Sequence, residues 1–194
     1  VKHEHGLLQG LNHPRIVRVY GACLQPPLII LEWMPAGSLH HLLHEAQAKT
    51  PLTLATRAKM ALQVCEGLDF LHGRAPPIVH RDLKSSNILV DLCYDCKICD
   101  LGLSQCLLTP MVTLPAAGSP LYFAPECFGP WTMISEKVDC WAAGCVLVEC
   151  FGGAIPNGDL HNMEQLVAKV KIHRQPPDIP IHLPCGVLQI VEDC

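Results

Sequence analysis

Apolar positions recur along this chain in short blocks, and the spacing within each block predicts its form. Leu7, Leu8 and Leu11 share one face at helical spacing, and Asn12-His13-Pro14 stops the run, so residues 1–11 read as the end of a helix. Ile16 to Cys23 and Leu28 to Glu32 are β-branched or aliphatic runs joined by Gln25-Pro26-Pro27, a strand–turn–strand signal. The stretch from Glu32 to Ser38 breaks the pattern. Ser38 to Ala48 then predicts one helix. Thr53 to His72 predicts a longer one, with a buried stripe through Leu54, Ala61, Cys65, Leu68 and Phe70/Leu71, ended by Arg74-Ala75-Pro76-Pro77. Ile88-Leu89-Val90 and Lys97-Ile98-Cys99 pair as a hairpin through Asp91 to Asp95. Residues 102–119 lack periodicity and carry Pro110, Pro115 and Gly118 as punctuation. Ser135 caps a helix running to about Phe151 that is apolar nearly all round, which places it in a core. Asn162 to Ile172 is a further helix, and Leu183 to Cys194 begins another. Internal repeats and low-complexity segments are absent.

Composition narrows the class. The 194 residues suffice for one domain and one sizeable core, and 49% apolar with 16% charged residues describes a globular chain. A net charge of −4 with no basic run gives no support to nucleic-acid or anionic-membrane binding. No apolar run reaches the ~20 residues that span a bilayer. Twelve cysteines read best as reduced, buried thiols, which implies a cytoplasmic setting; membrane attachment through other regions stays open, as does the oligomeric state. Cys93, Cys96, Cys99 and Cys106 carry a metal-ligand spacing, but they fall on the predicted hairpin, where small apolar residues are expected anyway.

The chemistry concentrates between two buried segments. Ile78 and Val79 lead into His80, Arg81, Asp82, Lys84, Ser85, Ser86 and Asn87, and Ile88 to Val90 lead out. One carboxylate, two cations and an amide therefore share a short loop, the kind of place where catalytic groups collect. Asp100-Leu101-Gly102 puts a second carboxylate before a glycine. Asp82 and Asp100 suit two jobs: one takes a proton and the other holds a metal. Taken singly, Asp82 and Asn87 could cap a turn, Lys84 could be solvated, and Asp100 could begin a loop; their joint spacing argues against those readings.

The block from His80 to Asn87 resembles the catalytic loop of eukaryotic protein kinases. Asp100-Leu101-Gly102 resembles the metal-binding triplet that follows that loop, and Ala124-Pro125-Glu126 resembles the triplet that closes the activation segment. The resemblance covers essentially the whole chain. It implies an α+β, two-lobed kinase-like fold: residues 1–33 as the remnant of a small β-rich lobe, and 34–194 as the hinge and most of a mainly helical large lobe. It implies ATP and Mg²⁺ as cofactors and a protein as substrate. Asp82 would orient the substrate hydroxyl and accept its proton, Lys84 would neutralise the transferring phosphoryl group, and Asn87 and Asp100 would hold magnesium. Glu32 and Met34 would pair with adenine through their backbones, with Leu31 as gatekeeper and Ser38 capping the next helix near the ribose; Leu89 and Glu4 complete the ATP-binding set. Leu101, where the family usually has phenylalanine, would stack with Leu8, Val19 and His80. Asp139, in Asp139-Cys140-Trp141, would bond the backbone around His80 and Arg81.

The same resemblance implies a regulatory segment. Arg81 before Asp82 marks kinases switched on by a phosphate, with Thr113 the first candidate and Thr109 and Ser104 the alternatives. Ser119 stands where a threonine usually bonds Asp82 and Lys84. Asp-Leu-Lys-x-x-Asn is the serine/threonine pattern, and the Ser85-Ser86 pair with Lys97 to Ser104 looks most like the tyrosine-kinase-like group, the mixed-lineage and Raf-type relatives. The partner of Glu126 in the family is an arginine expected beyond Cys194, which would leave a buried carboxylate unpaired. No Gly-x-Gly-x-x-Gly occurs, and the strand with the phosphate-gripping lysine precedes Val1 in the family. These 194 residues alone are therefore not expected to phosphorylate at a useful rate. A pseudokinase scaffold is the competing reading, and a small-molecule kinase is weakened by the Ala124-Pro125-Glu126 segment.

Overall fold

A computed structural model describes residues 10–45, 52–109, 112–114, 117–129, 131–152, 154–180 and 183–194. The predicted helix at 1–11, with Glu4 and Leu8, lies outside the described residues, as do the end of the 38–48 helix and the prolines at 110 and 115. Strands β1 (Val19–Leu24) and β2 (Pro27–Leu31) form an antiparallel pair. Just before it the chain is stitched to the rest of the fold: Val17 N–H donates to Ile98 O at 2.9 Å, and Ile98 N–H donates to Arg15 O at 2.8 Å.

After the hinge the chain is mainly helical. Residues 39–45 are helical, with a π-helical turn, α1, at His41–Glu45. Helix α2 (Leu54–His72) starts at Thr53, whose hydroxyl accepts from Thr56 N–H at 3.1 Å and so satisfies one of the free donors of the first turn. Its buried stripe is Met60, Val64, Leu68 and Leu71, with Ala61 beside it. Leu54 does not belong to that stripe. It is 60% exposed, because the first residue after the cap lies ahead of the turns that meet the core.

The predicted hairpin is present as β4 (Ile88–Val90) against β5 (Cys96–Ile98), following β3 (Ile78–Val79). Its turn is built by Asp91, whose carboxylate accepts from the N–H of Cys93 and of Asp95, both at 2.8 Å. The segment at 102–119 holds two short strands that its composition does not announce. β6 (Gln105–Cys106) pairs with β3, and β7 (Val112–Leu114) pairs with β8 (Thr132–Ile134). Each is only two or three residues long and set by its partner, so no period could reveal it.

Helix α3 (Lys137–Gly152) is the centre. Ser135 Oγ accepts from Lys137 N–H at 3.4 Å at its start. Ala142, Ala143, Cys145, Val146 and Cys150 pack with Met60, Val64 and Leu71 of α2, Ile88 and Ile98 of the hairpin, and Leu39, Leu83 and Leu101. Asn162 Oδ1 caps α4 (Met163–Leu166), which continues as a π-helical stretch at Val167–Ile172. Helix α5 (Cys185–Asp193) packs on α3 through Val191 and Leu147. This is an α+β arrangement in which the loop from His80 to Asn87 lies between the hairpin and α3.

Candidate active site

The loop is fixed from below by a single carboxylate. Asp139, 1% exposed on the first turn of α3, accepts from His80 N–H at 2.7 Å and from Arg81 N–H at 2.9 Å, and its Oδ2 also meets His72 Nε2 at 2.9 Å. Arg81 adopts φ 68°, a left-handed backbone that costs a non-glycine residue free energy. The two charge-assisted bonds at its ends offset that strain. The guanidinium is partly buried, which pulls its pKa below the usual arginine range despite the nearby Cys127 and Asp139; its Nη1 donates to Leu103 O at 3.3 Å. His80 is fully buried. Its Nε2 bonds Cys99 O at 2.9 Å, so Nε2 carries the proton and Nδ1 accepts from Asp82 N–H at 3.3 Å.

Above this floor, the polar side chains converge on Asp82. Lys84 Nζ donates to Asp82 Oδ2 at 2.9 Å and to Ser119 Oγ at 2.7 Å. Asn87 Nδ2 donates to Asp82 O at 2.8 Å and to Asp82 Oδ2 at 3.2 Å. Asp82 Oδ1 is buried and has no hydrogen-bond partner among the described residues. Gly118 lets the segment carrying Ser119 come this close. Its φ is +115°, and a Cβ there would lie 2.5 Å from Arg81 O and 3.3 Å from Asp82 Oδ1.

The second carboxylate is tied to the same loop. Cys99 N–H donates to Asn87 O at 2.9 Å, and Cys99 O meets His80, so the residue before Asp100 is bonded to the His80–Asn87 loop on both sides. Asp100 is exposed and left-handed at φ 61°, with Oδ1 accepting from Gly102 N–H at 3.3 Å. Leu101 is fully buried in the main core, worth about 1.5–3 kcal/mol as a leucine burial. The bonds that Asn87 makes to Asp82 both use its nitrogen, which leaves its oxygen for another partner; oxygen donors such as this and the Asp100 carboxylate are the kind magnesium takes.

At the hinge, backbone bonds stitch the chain to β4: Ala36 N–H to Val90 O at 3.1 Å and Val90 N–H to Gly37 O at 2.8 Å. Ser38 forms a bridge with Leu89, and its hydroxyl accepts from His41 N–H at 3.1 Å. Met34 is buried, and its carbonyl accepts from Gly37 N–H at 3.1 Å. The Glu32 carboxylate bonds Lys97 Nζ at 2.6 and 2.7 Å and Arg18 N–H at 3.2 Å, so this side chain is held at the sheet.

The Protein kinase domain family matches residues 1–186. The chain belongs to the protein kinase family. Among curated relatives, the Arabidopsis thaliana serine/threonine-protein kinase CTR1 is 40% identical over 194 residues, 98% of this chain and 23% of the relative. The Dictyostelium discoideum probable serine/threonine-protein kinase drkB is 34% identical, over 98% of this chain and 27% of its own length. The Arabidopsis thaliana probable serine/threonine-protein kinase SIS8 is 35% identical, over 98% of this chain and 18% of its own length. The chain thus spans roughly a quarter or less of the length of these relatives.

Two expectations for this kinase chain change. Ser104 is 1% exposed and its hydroxyl donates to His80 O at 3.2 Å, so it pins the segment to the loop and is not presented for phosphorylation. Thr109 and Thr113 are exposed, with Thr113 Oγ1 donating to Met133 Sδ at 3.1 Å across β7 and β8. Glu126 is exposed rather than buried, so water solvates the carboxylate and the cost of an unpaired interior charge does not arise. All twelve cysteines are free thiols; Cys93 is exposed, whereas Cys96 and Cys99 are buried. No helix among the described residues is long and apolar enough to cross a membrane.

The sequence reading missed Glu149, on the last turns of α3. It is fully buried, accepting from Tyr122 O–H at 2.6 Å on Oε1 and from Ser85 O–H at 2.7 Å on Oε2, and Oε2 also lies 2.9 Å from His44 Nε2. Burial, then the Glu149 charge, pushes the Tyr122 phenol well above its usual range. The available signal was a carboxylate at the end of the apolar run from Ala142 to Val148, which demands partners.

Proposed function

We propose that this chain carries the catalytic core of a serine/threonine protein kinase of the tyrosine-kinase-like group, transferring the γ-phosphoryl group of ATP to a protein hydroxyl. The observation that carries this reading is the state of Asp82. Lys84 and Asn87 hold its Oδ2, while its Oδ1 is a buried acceptor without a partner, a condition that costs free energy until a donor arrives. A substrate hydroxyl is such a donor. Asp82 then orients that hydroxyl and takes its proton. Lys84, fixed by Ser119, places positive charge beside the transferring group. Asn87 and Asp100 would hold the magnesium ions, which when bound neutralise phosphate charge. The backbone at Glu32 and Met34, with Ser38 and Leu89 alongside, would hold the nucleoside. Twelve free thiols suit a reducing, cytoplasmic setting.

In the full-length protein, Asp82→Asn lowers kcat for peptide phosphorylation by roughly 10²–10⁴-fold and leaves nucleotide affinity nearly unchanged. Asp100→Asn instead weakens magnesium-nucleotide binding. Turnover close to wild type in Asp82→Asn would overturn the reading in favour of a scaffold that transfers nothing.

A further inference from the structure

We propose that His40, His44 and Glu149 form a binding site for a zinc-type divalent ion, wired to the catalytic loop through Ser85. The donor atoms of these three residues lie within 4.8 Å of one another. Two histidines four apart on a helical turn and a glutamate from a second helix make a His₂Glu set, which zinc takes readily with its fourth position open. Zinc bonds of 2.0–2.1 Å in tetrahedral geometry put ligand atoms about 3.3 Å apart. His44 Nε2 and Glu149 Oε2 stand at 2.9 Å, so that pair needs only a slight opening. His40 must close the rest of the distance. Its side chain is 29% exposed, and it is free to turn where the buried Glu149 is not.

The surroundings support the three ligands as an outer shell would. Tyr122 donates to the other oxygen of Glu149 at 2.6 Å and so fixes the carboxylate. His40 Nδ1 points toward the cluster, 3.4 Å from Ser85 Oγ, while its Nε2 lies 3.7 Å from Glu45 Oε1. Glu45 now bonds His41 Nδ1 at 2.8 Å; a small turn would bring it onto the far nitrogen of His40, where a carboxylate orients a ligating ring and raises its basicity. The hydrogen that His44 Nε2 directs at Glu149 must leave that nitrogen, for example to Nδ1, before Nε2 can bind the ion.

The site reaches the reaction centre through one hydroxyl. Ser85 directly follows Lys84 in the turn Ser85–Asn87, and its hydroxyl donates to Glu149 Oε2, the oxygen the ion takes. An ion there competes with Ser85 and shifts the loop that carries Lys84 and Asn87. The site goes beyond the kinase reading and stands without it, since binding is read directly.

The test is titration of the reduced, full-length protein with Co²⁺, followed by Zn²⁺ displacement. The expected result is visible four-coordinate bands without the strong thiolate charge-transfer band that the cysteines would give, lost on Zn²⁺ addition. His40→Ala weakens Co²⁺ and Zn²⁺ affinity by about tenfold or more, with thermal unfolding in EDTA unchanged, and Glu45→Gln weakens it by about tenfold. In parallel, histidine ring NMR of the wild-type protein shows Zn²⁺ shifting the His40 and His44 signals first. Thiolate bands only, equal affinity in His40→Ala, or Zn²⁺ shifts confined to other histidines would each overturn the proposal.

Discussion

The two ends of helix α3 each bury one carboxylate, and they use it differently. Asp139 near the start grips mainly backbone: the N–H groups of His80 and Arg81, with the His72 ring as its one side-chain partner among the described residues. Glu149 near the end grips side chains: the hydroxyls of Ser85 and Tyr122 and the imidazole of His44. A backbone grip works whatever side chains the loop carries, and it holds a left-handed residue, Arg81, directly before Asp82. A side-chain grip depends on three particular residues from three separate segments. It ties the catalytic loop to the segment after Ser119 and to α1, and any of the three can be changed singly. The first end sets geometry; the second couples elements.

The thiols along the same helix separate its two ends most strongly with pH. Burial first, then the Glu149 charge, raises the Cys145 pKa far above its ordinary value near 9; burial, then Cys96 and Glu149, does the same for Cys150. Cys140, beside Asp139, is only half-buried and raised less completely by burial. Above pH 9 the unfolded chain loses these protons while the folded chain keeps them, so the unfolded state binds fewer protons and stability falls as pH rises. Each such thiol costs about 1.4 kcal/mol per pH unit, so Cys145 and Cys150 together cost about 3 kcal/mol per unit. Denaturant titrations from pH 8 to 11 should show this loss. Cys145→Ala with Cys150→Ala should flatten it, and Cys140→Ala should flatten it far less. Equal flattening would erase the contrast between the ends.

Asp139→Ala comes next. It leaves the buried His80 N–H, the half-buried Arg81 N–H and the His72 ring nitrogen without their acceptor; the buried donor costs about 1–3 kcal/mol and the others add less each, roughly 2–6 kcal/mol together. The strained backbone at Arg81 also loses its clamp, so the proposed phosphoryl transfer should lose turnover even where the variant stays folded. Chemical denaturation together with kcat measures both. Glu149→Gln should cost less, about 1–3 kcal/mol, because the amide oxygen still accepts one hydroxyl while its nitrogen meets another. A Glu149→Gln loss equal to that of Asp139→Ala would mean that the distal carboxylate also sets backbone geometry.

The difference between the two ends also explains what the sequence could and could not reveal. His80, Asp82, Lys84 and Asn87 lie in eight consecutive residues, and Asp100 and Asp139 sit in short local patterns, so a linear reading could gather them. Glu149 has partners 105, 64 and 27 residues away, and no local pattern links them. The helices were legible from their stripes, but Leu54 was misplaced because a periodic residue in the first turn need not reach the core. β6 and β7 stayed hidden because two or three residues cannot establish a period. Glu126 was expected inside because the family pairs it with an arginine; only the turn at Pro125–Cys127 decides that its side chain faces water.

The smallest expected effect isolates the coupling itself. Ser85→Ala and Tyr122→Phe each remove one hydroxyl from Glu149 while leaving the carbon frame in place. Each deletes a hydrogen bond to a charged group, worth about 1.5–3 kcal/mol in general, but here the remaining donors close in on the carboxylate and the single losses should fall near the bottom of that range. Removing both leaves Glu149 with His44 alone in a site with no water contact, so the double variant should lose more than the sum, by about 0.5–1.5 kcal/mol. Ser85 and Tyr122 also touch at 3.2 Å between their hydroxyls, which works toward the same sign, since either can bridge for the other. The measurement is a double-mutant cycle in urea. Strict additivity would mean that the two hydroxyls bond independently, and that Glu149 joins the catalytic loop to the Tyr122 segment in space without coupling them in energy.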